Sequence, residues 1–381
     1  MHLFTTWPGT SRIGRTVIVA VGVTVCASQA RAQVVSEQRA PAASPPAQAA
    51  APRLAASPPA DTFSALVFGD YYYFVQHHDP NWDGEQGFWF RRIYLRWDHA
   101  FSPTLATRVR LEANSNGRRQ GGSITPYFKD AFLRWTYAGR QQVTLGIQPT
   151  PIIESADALW GLRHIEKTPL DLYQWDSSRD FAVTASGPLN RIGTATYVFQ
   201  FGNESGTDAE VDSTKATRSA LRYDAASGLM FQGNFSRFRH LEHEDWLTVE
   251  AKAGYRHARG RAGLEYAYQR RQAGDASATP DVIQRVVSMF GVLDPKPQKI
   301  SVFARLDFYQ DPCPQCAGLN YLPIDPGAPF TFGLAGVEFY IHPSVRLSPN
   351  VEWVAYGPPA SAVAAPLKND VVFRTTFFWI W

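Results

Sequence analysis

Long apolar runs are absent from the sequence after its first thirty positions. No later stretch reaches the roughly 18 apolar residues that a transmembrane helix needs, so helical membrane spans are excluded. Methionine occurs only 3 times, whereas Phe, Tyr and Trp make up 13% of the chain and Gly and Pro are frequent. A chain that is rich in aromatic residues and glycine and lacks helical periodicity is typical of an all-β protein.

An export signal accounts for the first 32 residues. Arg12 and Arg15 form a basic region, residues 17–27 form a short apolar core, and Ala-Arg-Ala at 30–32 forms an A-x-A cleavage site before Gln33. The apolar run is too short for a retained anchor. We therefore predict a signal peptide over residues 1–32, cleaved on export.

The mature chain has no net charge to direct it to a partner. Cleavage removes Arg12, Arg15 and Arg31 but no acid, so 37 basic residues become 34 against 34 acidic ones. Bulk attraction to nucleic acid is therefore not expected, and any ion preference must come from where the charges lie.

Cysteine is scarce, which agrees with an oxidising compartment. Only Cys313 and Cys316 remain after cleavage, and a disulfide between them is the interpretation we favour. A thioredoxin-like redox motif would need a helix start, which Pro312 and Pro314 oppose. A lone CxxC also supplies only half of a zinc site.

Motifs of enzymes and cofactor sites are missing from the sequence. It contains no G-x-S-x-G, no H-E-x-x-H and no P-loop, and we expect neither catalytic activity nor a cofactor. His77-His78-Asp79 could form a metal site, but it falls in a predicted surface loop and no metal is expected there. His164 is interpreted as a hydrogen-bonded loop histidine.

Alternating strands fill the chain from position 63 onward. Residues 33–60 are mainly Ala, Pro, Ser and Gln, a composition that cannot bury a core and predicts a disordered extension. The barrel domain is assigned to residues 61–381. In the segment 91–98, Ile93, Leu95 and Trp97 share one face and polar residues share the other. About sixteen such segments are predicted, at 63–75, 87–100, 105–113, 127–138, 141–148, 179–187, 192–203, 216–224, 228–239, 246–257, 260–271, 282–292, 298–311, 330–342, 345–357 and 369–381.

The connections between these segments alternate in length. Short turns follow the even strands and most longer loops follow the odd ones, which is typical of a bacterial outer-membrane barrel. The fold class is therefore predicted as all-β, a transmembrane antiparallel β-barrel. The longest loop, at about 149–178, has no predicted strand, and loops of this length are usually functional. We expect it to fold inward and narrow the bore.

Short motifs between positions 63 and 206 share features with one family of barrels. They are GDYY at 69–72, GFWFRR at 87–92, KDAF at 129–132, LGIQPTP at 145–151, HIEK at 164–167, SRDF at 178–181 and FGNESG at 201–206. In these motifs the chain resembles the phosphate-selective porin O and P family of Gram-negative outer membranes. The resemblance implies a sixteen-stranded homotrimeric porin that passes anions such as phosphate.

Charged residues on the predicted inward faces are the candidate site. Arg92, Arg96, Arg108, Arg110 and Arg134 form a basic ladder on strands two to four, facing the loop. Such residues either set ion preference or only solvate the lumen wall and pair with one another. The loop contributes two candidate anion contacts, Arg163 and Lys167, which could instead pin the loop to the wall, and four candidate constriction acids, Glu154, Asp157, Glu166 and Asp171.

The function that follows is a passive outer-membrane channel. Its expected partners are outer-membrane lipid, lipopolysaccharide and small hydrophilic solutes, with a preference for anions. A second hypothesis is a channel for small organic solutes without anion preference, in which Trp160 or Trp175 shapes selectivity. A third, from another class, is a plugged barrel that acts as an adhesin or a lipid-modifying enzyme.

Overall fold

The computed structural model describes residues 61–115, 123–211, 213–239, 245–272, 281–313, 316, 322–359 and 365–381. The predicted signal peptide and the Ala/Pro-rich extension lie outside these residues and stay predictions. No helix in the described ranges is long and apolar enough to cross a membrane.

Sixteen antiparallel strands form one closed barrel. Each strand pairs with its neighbours in sequence, and β1 pairs with β16 to close the ring. The predicted fold class is therefore confirmed. The strands are β1 Asp61–Gln76, β2 Gln86–Ala100, β3 Leu105–Asn114, β4 Thr125–Tyr137, β5 Gln141–Pro149, β6 Arg179–Pro188, β7 Ala195–Gly202, β8 Ala216–Asp224, β9 Leu229–Arg239, β10 Asp245–His257, β11 Gly260–Gln272, β12 Val282–Lys296, β13 Ile300–Tyr309, β14 Phe330–His342, β15 Val345–Tyr356 and β16 Asp370–Ile380.

Alternation along each strand separates a polar lumen from an apolar exterior. In β9 the side chains of Phe231 and Phe235 are exposed on the outside, whereas Gln232, Asn234 and Ser236 are buried inside. A bilayer on one face and a polar lumen on the other require this period-2 pattern. The same pattern made the strands predictable from the sequence.

The two rims of the barrel differ in the length of their connections. Connections after even strands have two to six residues, and those after odd strands have five to 29. The predicted alternation is therefore confirmed. One strand end differs from the prediction. The strand predicted to end at residue 292 continues to Lys296, which pairs with Ile300, so the turn to the next strand lies at 297–299.

The longest connection contains helices, contrary to the expectation of a loop without regular structure. Helix α1 spans Pro151–Trp160 and helix α2 spans Pro169–Leu172. A 3₁₀-helix, Pro80–Trp82, lies in the connection between β1 and β2. The connection 150–178, called the inner loop below, folds into the barrel as expected.

Candidate permeation path

Local sequence determines where the helix of the inner loop begins and ends. Pro151 occupies the first turn of α1, where its missing N–H costs no hydrogen bond. Gly161 ends the helix with φ of 68°, a left-handed conformation that favours glycine, and its N–H donates to the Asp157 carbonyl oxygen at 2.8 Å. The helix therefore ends at Trp160, and the chain turns at Gly161.

The apolar side of the inner loop is buried against one part of the barrel wall. Its side chains form a single cluster with inward residues of β1, β2 and β11–β16, which buries apolar area and holds the loop against these strands. The loop contributes Ile152, Ile153, Trp160, Leu162, Ile165, Leu170, Leu172, Tyr173 and Trp175, and the wall contributes Phe74, Val292, Phe303, Tyr309, Phe330, Phe332, Leu334, Val354 and Val372.

Buried ion pairs hold the same loop in place. The Glu166 carboxylate lies 2.9 Å from the Arg91 guanidinium and 3.1 Å from that of Arg374. Asp176 lies 2.8 Å from Arg218. All of these side chains are fully buried, so Glu166 faces the barrel wall and not the water in the lumen.

A β-bulge explains why Arg91 points inward beside Arg92. Phe68 of β1 pairs with Arg92, and the next residue, Gly69, pairs with Phe90, which leaves Arg91 as the extra residue. A bulge lets two successive side chains face the same side of the sheet. Arg91 therefore reaches the inner loop, although strict alternation would turn it outward.

The predicted basic ladder lies on the inward faces of β2–β4. We call Arg92, Arg96, Arg108, Arg110, Lys129 and Arg134 the basic wall. Most members have acidic partners: Arg92 lies 2.6 Å from Glu112, Arg108 lies 2.7 Å from Asp98, and Arg110 lies 2.8 Å from Asp130. Arg96 also pairs with Asp98.

Lys129 is a member of the basic wall that the sequence pattern did not indicate. Its ammonium lies 3.2 Å from Glu112. A second bulge is the reason, because Asp130 pairs with Arg110 whereas Phe128 pairs with Leu111, so Lys129 is the extra residue. Lys129 and Asp130 therefore both face the lumen.

Arg134 differs from the other members of the basic wall. Its guanidinium lies 5.0 Å from the ring centre of Phe132, and its Nε lies 3.4 Å from the Thr144 hydroxyl oxygen. It forms no ion pair with any residue in the described part of the chain. Its positive charge is the least compensated on this wall.

The inner loop presents its own charged residues toward the basic wall. We call Glu154, Asp157, Arg163, Lys167 and Asp171 the loop face. Arg163 lies 3.2 Å from Asp157 and 2.7 Å from Asp171, and Lys167 lies 3.2 Å from Asp171. The cations of the loop face are thus paired with its acids.

One acid of the loop face, Asp157, has a raised pKa. Burial raises the pKa of Asp157 to about 6, helped by the nearby carboxylates of Asp171 and Glu154. Arg163 and the hydroxyl of Thr168 act in the opposite direction. Asp157 belongs to α1 of the inner loop and not to a strand.

Part of the basic wall is open to solvent inside the barrel. The side chains of Arg96, Asp98 and Arg110 remain 17% to 26% exposed inside the barrel. In contrast, inward charged residues of β10, β13, β15 and β16 are almost completely buried against the loop or each other; they are Glu250, Lys252, Arg305, Asp307, Glu352 and Arg374. The candidate permeation path therefore lies between the basic wall and the loop face.

The other singled-out residues occupy structural positions. Cys313 and Cys316 are joined in a disulfide, with Cα atoms 5.3 Å apart, in the connection between β13 and β14. His164 is buried with its Nε2 2.5 Å from Glu338. Trp160 and Trp175 lie inside the apolar cluster, so neither is accessible to a passing solute.

Comparison with known proteins supports the fold only. No protein-family model and no curated protein matches the chain. An anion-selective porin from Comamonas acidovorans superposes with a TM-score of 0.62 at 15% identity, covering 85% of this chain and 100% of the porin. OmpTdeltaL8, a loop L8 deletion mutant of the Vibrio cholerae outer membrane protein OmpT, gives 0.62 at 11% identity, with 85% and 100% covered. Salmonella typhi OmpF in complex with daunomycin gives 0.62 at 10% identity, with 84% and 97% covered. The chain thus has a porin-like sixteen-stranded barrel.

Proposed function

We propose that this protein is an outer-membrane porin, a passive diffusion channel for small hydrophilic solutes. The observation that carries the proposal is the partly exposed polar strip between the basic wall and the loop face of a closed barrel. A barrel of this strand number is wide enough to hold water, and an inserted loop narrows it. Flow through such a strip needs no energy source and follows the concentration gradient.

The charge balance of the strip supports a preference for anions. The basic wall has six cations, and the inward acids beside it are three: Asp98, Glu112 and Asp130. The loop face adds two cations and three acids, so the strip as a whole remains positive. Rings of charged side chains set ion preference in pores. We propose small anions, including inorganic phosphate, as solutes, in line with the resemblance to phosphate-selective porins.

A weakly selective channel for small organic solutes is the second candidate. Ion pairing favours it, because Arg92, Arg96, Arg108 and Arg110 each have a carboxylate partner that offsets their charge. Paired charges of both signs across a strip create a transverse field with little net selectivity. The anion-preferring channel requires the unpaired charge of Arg134 to outweigh the paired charges of the strip. The weakly selective channel requires that it does not.

Location and assembly belong to the same proposal. Short turns of outer-membrane barrels face the periplasm and long loops face outward, so the rim of long connections is proposed to be extracellular. The exposed apolar exterior would contact lipid, and the long-loop rim would contact lipopolysaccharide. A trimer form is recorded for the Vibrio cholerae protein OmpT, and we propose a homotrimer here as well.

Single-channel recording of the refolded mature protein in planar bilayers tests the proposal. Discrete conductance steps with an anion-biased reversal potential under a salt gradient are expected, and phosphate should reduce the chloride current. Arg92→Ala combined with Arg96→Ala should lower the anion bias. Steps without anion bias would favour the channel for organic solutes.

Absence of conductance from a correctly folded barrel would refute both channel candidates. The plugged barrel that acts as an adhesin or a lipid-modifying enzyme would then be the hypothesis to test. The long-loop rim would be the surface to mutate first.

A further inference from the structure

A buried histidine lies at the long-loop rim, directly after β1 ends. His77 is 1% exposed, and its ring packs against Phe74 and Trp82, with ring centres 5.5 Å and 5.6 Å away. Its backbone N–H donates to the Asp83 carboxylate at 2.7 Å. The ring is thus held by its surroundings and does not sample solvent as a surface-loop histidine would.

The Nε2 atom of this ring is buried without a hydrogen-bond partner in the described part of the chain. Nε2 of His77 makes no well-aligned hydrogen bond within the ranges that the structure describes, and it lies 3.9 Å from the Asp370 carboxylate. The Asp79 N–H donates to Nδ1 at 3.0 Å in the tautomer that carries its proton on Nε2, and in the other tautomer Nδ1–H donates to the Asp79 carbonyl oxygen at 3.2 Å. When Nδ1–H donates to that carbonyl, the lone pair of Nε2 is free for a metal, which is the usual arrangement of metal-bound histidines.

Two further ligand groups converge on the same point. Nδ1 of His78 lies 3.1 Å from both carboxylate oxygens of Asp370. The Tyr356 hydroxyl donates to Asp370 at 2.7 Å and lies 3.0 Å from His78 Nδ1. Asp370 also accepts the His78 backbone N–H at 2.6 Å, which fixes the carboxylate between the two histidines.

The spacing of these atoms fits a first-row transition metal. One ligand atom each from His77, His78 and Asp370 lies within 4.8 Å of the others. Zinc bonds of about 2.0–2.1 Å in a tetrahedral site place ligand atoms roughly 3.4 Å apart. Imidazole and carboxylate ligands suit divalent zinc, nickel, copper and cobalt. The three ligand atoms therefore need to move only slightly closer together to bind the ion.

We propose that His77, His78 and Asp370 form a binding site for one divalent transition-metal ion, with Zn²⁺ as the reference ligand. The Tyr356 hydroxyl orients Asp370 from behind. The site joins the end of β1 to the start of β16, so a bound ion would link the first and last strands where the barrel closes. From the sequence, the third group beside the two histidines was Asp79, and no metal was expected. Asp370 could not be recognised as a partner because it lies 292 residues from His78 in the chain.

An ion can reach the site from the rim, because the side chain of His78 is 14% exposed.

The test is Zn²⁺ titration of the full mature protein without a histidine tag, after chelator treatment, by calorimetry and elemental analysis. One ion per chain is expected. His77→Asn and His78→Asn should each weaken binding at least tenfold, since even groups behind the ligands contribute about 10–100-fold to metal affinity. Substituting Co²⁺ should give the visible absorption of a tetrahedral or five-coordinate site, which both variants should lose.

Two control variants keep the proposal falsifiable. His99→Asn removes a histidine whose Nδ1 lies 2.7 Å from Asp61 at the opposite rim, and it should leave affinity unchanged. His240→Asn with His243→Asn removes another pair of histidines that lie close together in sequence, and it should also leave the affinity unchanged. His78→Asn changes a partly exposed side chain, so it remains informative if the His77 variant does not fold.

Less than one ion per chain, or unchanged affinity in a folded His78→Asn variant, would overturn the proposal. Loss of binding in the double variant at 240 and 243 would do the same. The site is separate from the permeation path, so these results are independent of whether the protein conducts ions.

Discussion

Arg134 provides the sharpest test of how charge is distributed along the permeation path. Among the basic wall it is the member without an ion pair to a residue that the structure describes. A unit charge about 5 Å from a passing ion contributes about 0.8 kcal/mol in water. Screening at 0.1 M salt, where the Debye length is about 10 Å, reduces this to about 0.5 kcal/mol. Arg134→Gln should therefore lower local anion concentration roughly twofold and raise cation concentration equally, a change of roughly fivefold in the permeability ratio.

The assay is the reversal potential of single channels under a potassium chloride gradient. Arg134→Lys keeps the charge and should retain most of the anion bias. Arg237→Gln removes a charge from an exposed pair with Asp245 and should have no effect. At 1 M salt the effect of Arg134→Gln should nearly vanish, because the Debye length falls to about 3 Å. An unchanged reversal potential at 0.1 M would refute the reasoning that unpaired charge sets the preference.

Three further predictions concern the inner loop and the disulfide. Glu166→Gln leaves the buried charges of Arg91 and Arg374 with less negative charge beside them, so the free energy of unfolding should fall by about 3 kcal/mol. The variant should unfold at a lower denaturant concentration, and single-channel noise should rise because the inner loop is held less firmly. Lowering the pH from 7 to 5 neutralises Asp157, whose pKa is about 6, so the reversal potential should become more anion-selective, and Asp157→Asn should remove this pH dependence. Cys313→Ser should cost no more than about 2 kcal/mol, because the disulfide closes a very short loop, and conductance should be unchanged.

The strands, their inward faces and the two rims were predictable because the signals are local. A barrel between lipid and water imposes period-2 alternation on every strand, and short turns limit where each strand can end. The ladder Arg92, Arg96, Arg108 and Arg110 could therefore be placed on the inside from sequence alone. The helix α1 was missed, although Pro151 and Gly161 mark its two ends, because a search for alternating strands does not register helical ends.

The partners of these residues depended on the tertiary structure. Two bulges, which an alternating pattern does not reveal, turn Arg91 and Lys129 inward beside their neighbours. Glu166 looked like a pore acid in sequence, but it faces Arg374, 208 residues away, in a buried pair.

The sequence by itself determined the barrel, the different lengths of the connections at its two rims and the ladder of inward charges, since each follows from neighbouring residues and their environment. Tertiary structure decided which charges are paired and which remain unpaired in the lumen. It also brought His78 to Asp370, where the first and last strands pair. Pair distances follow from strand register, bulges and ring closure. These bring together residues hundreds of positions apart, and no local periodicity encodes them.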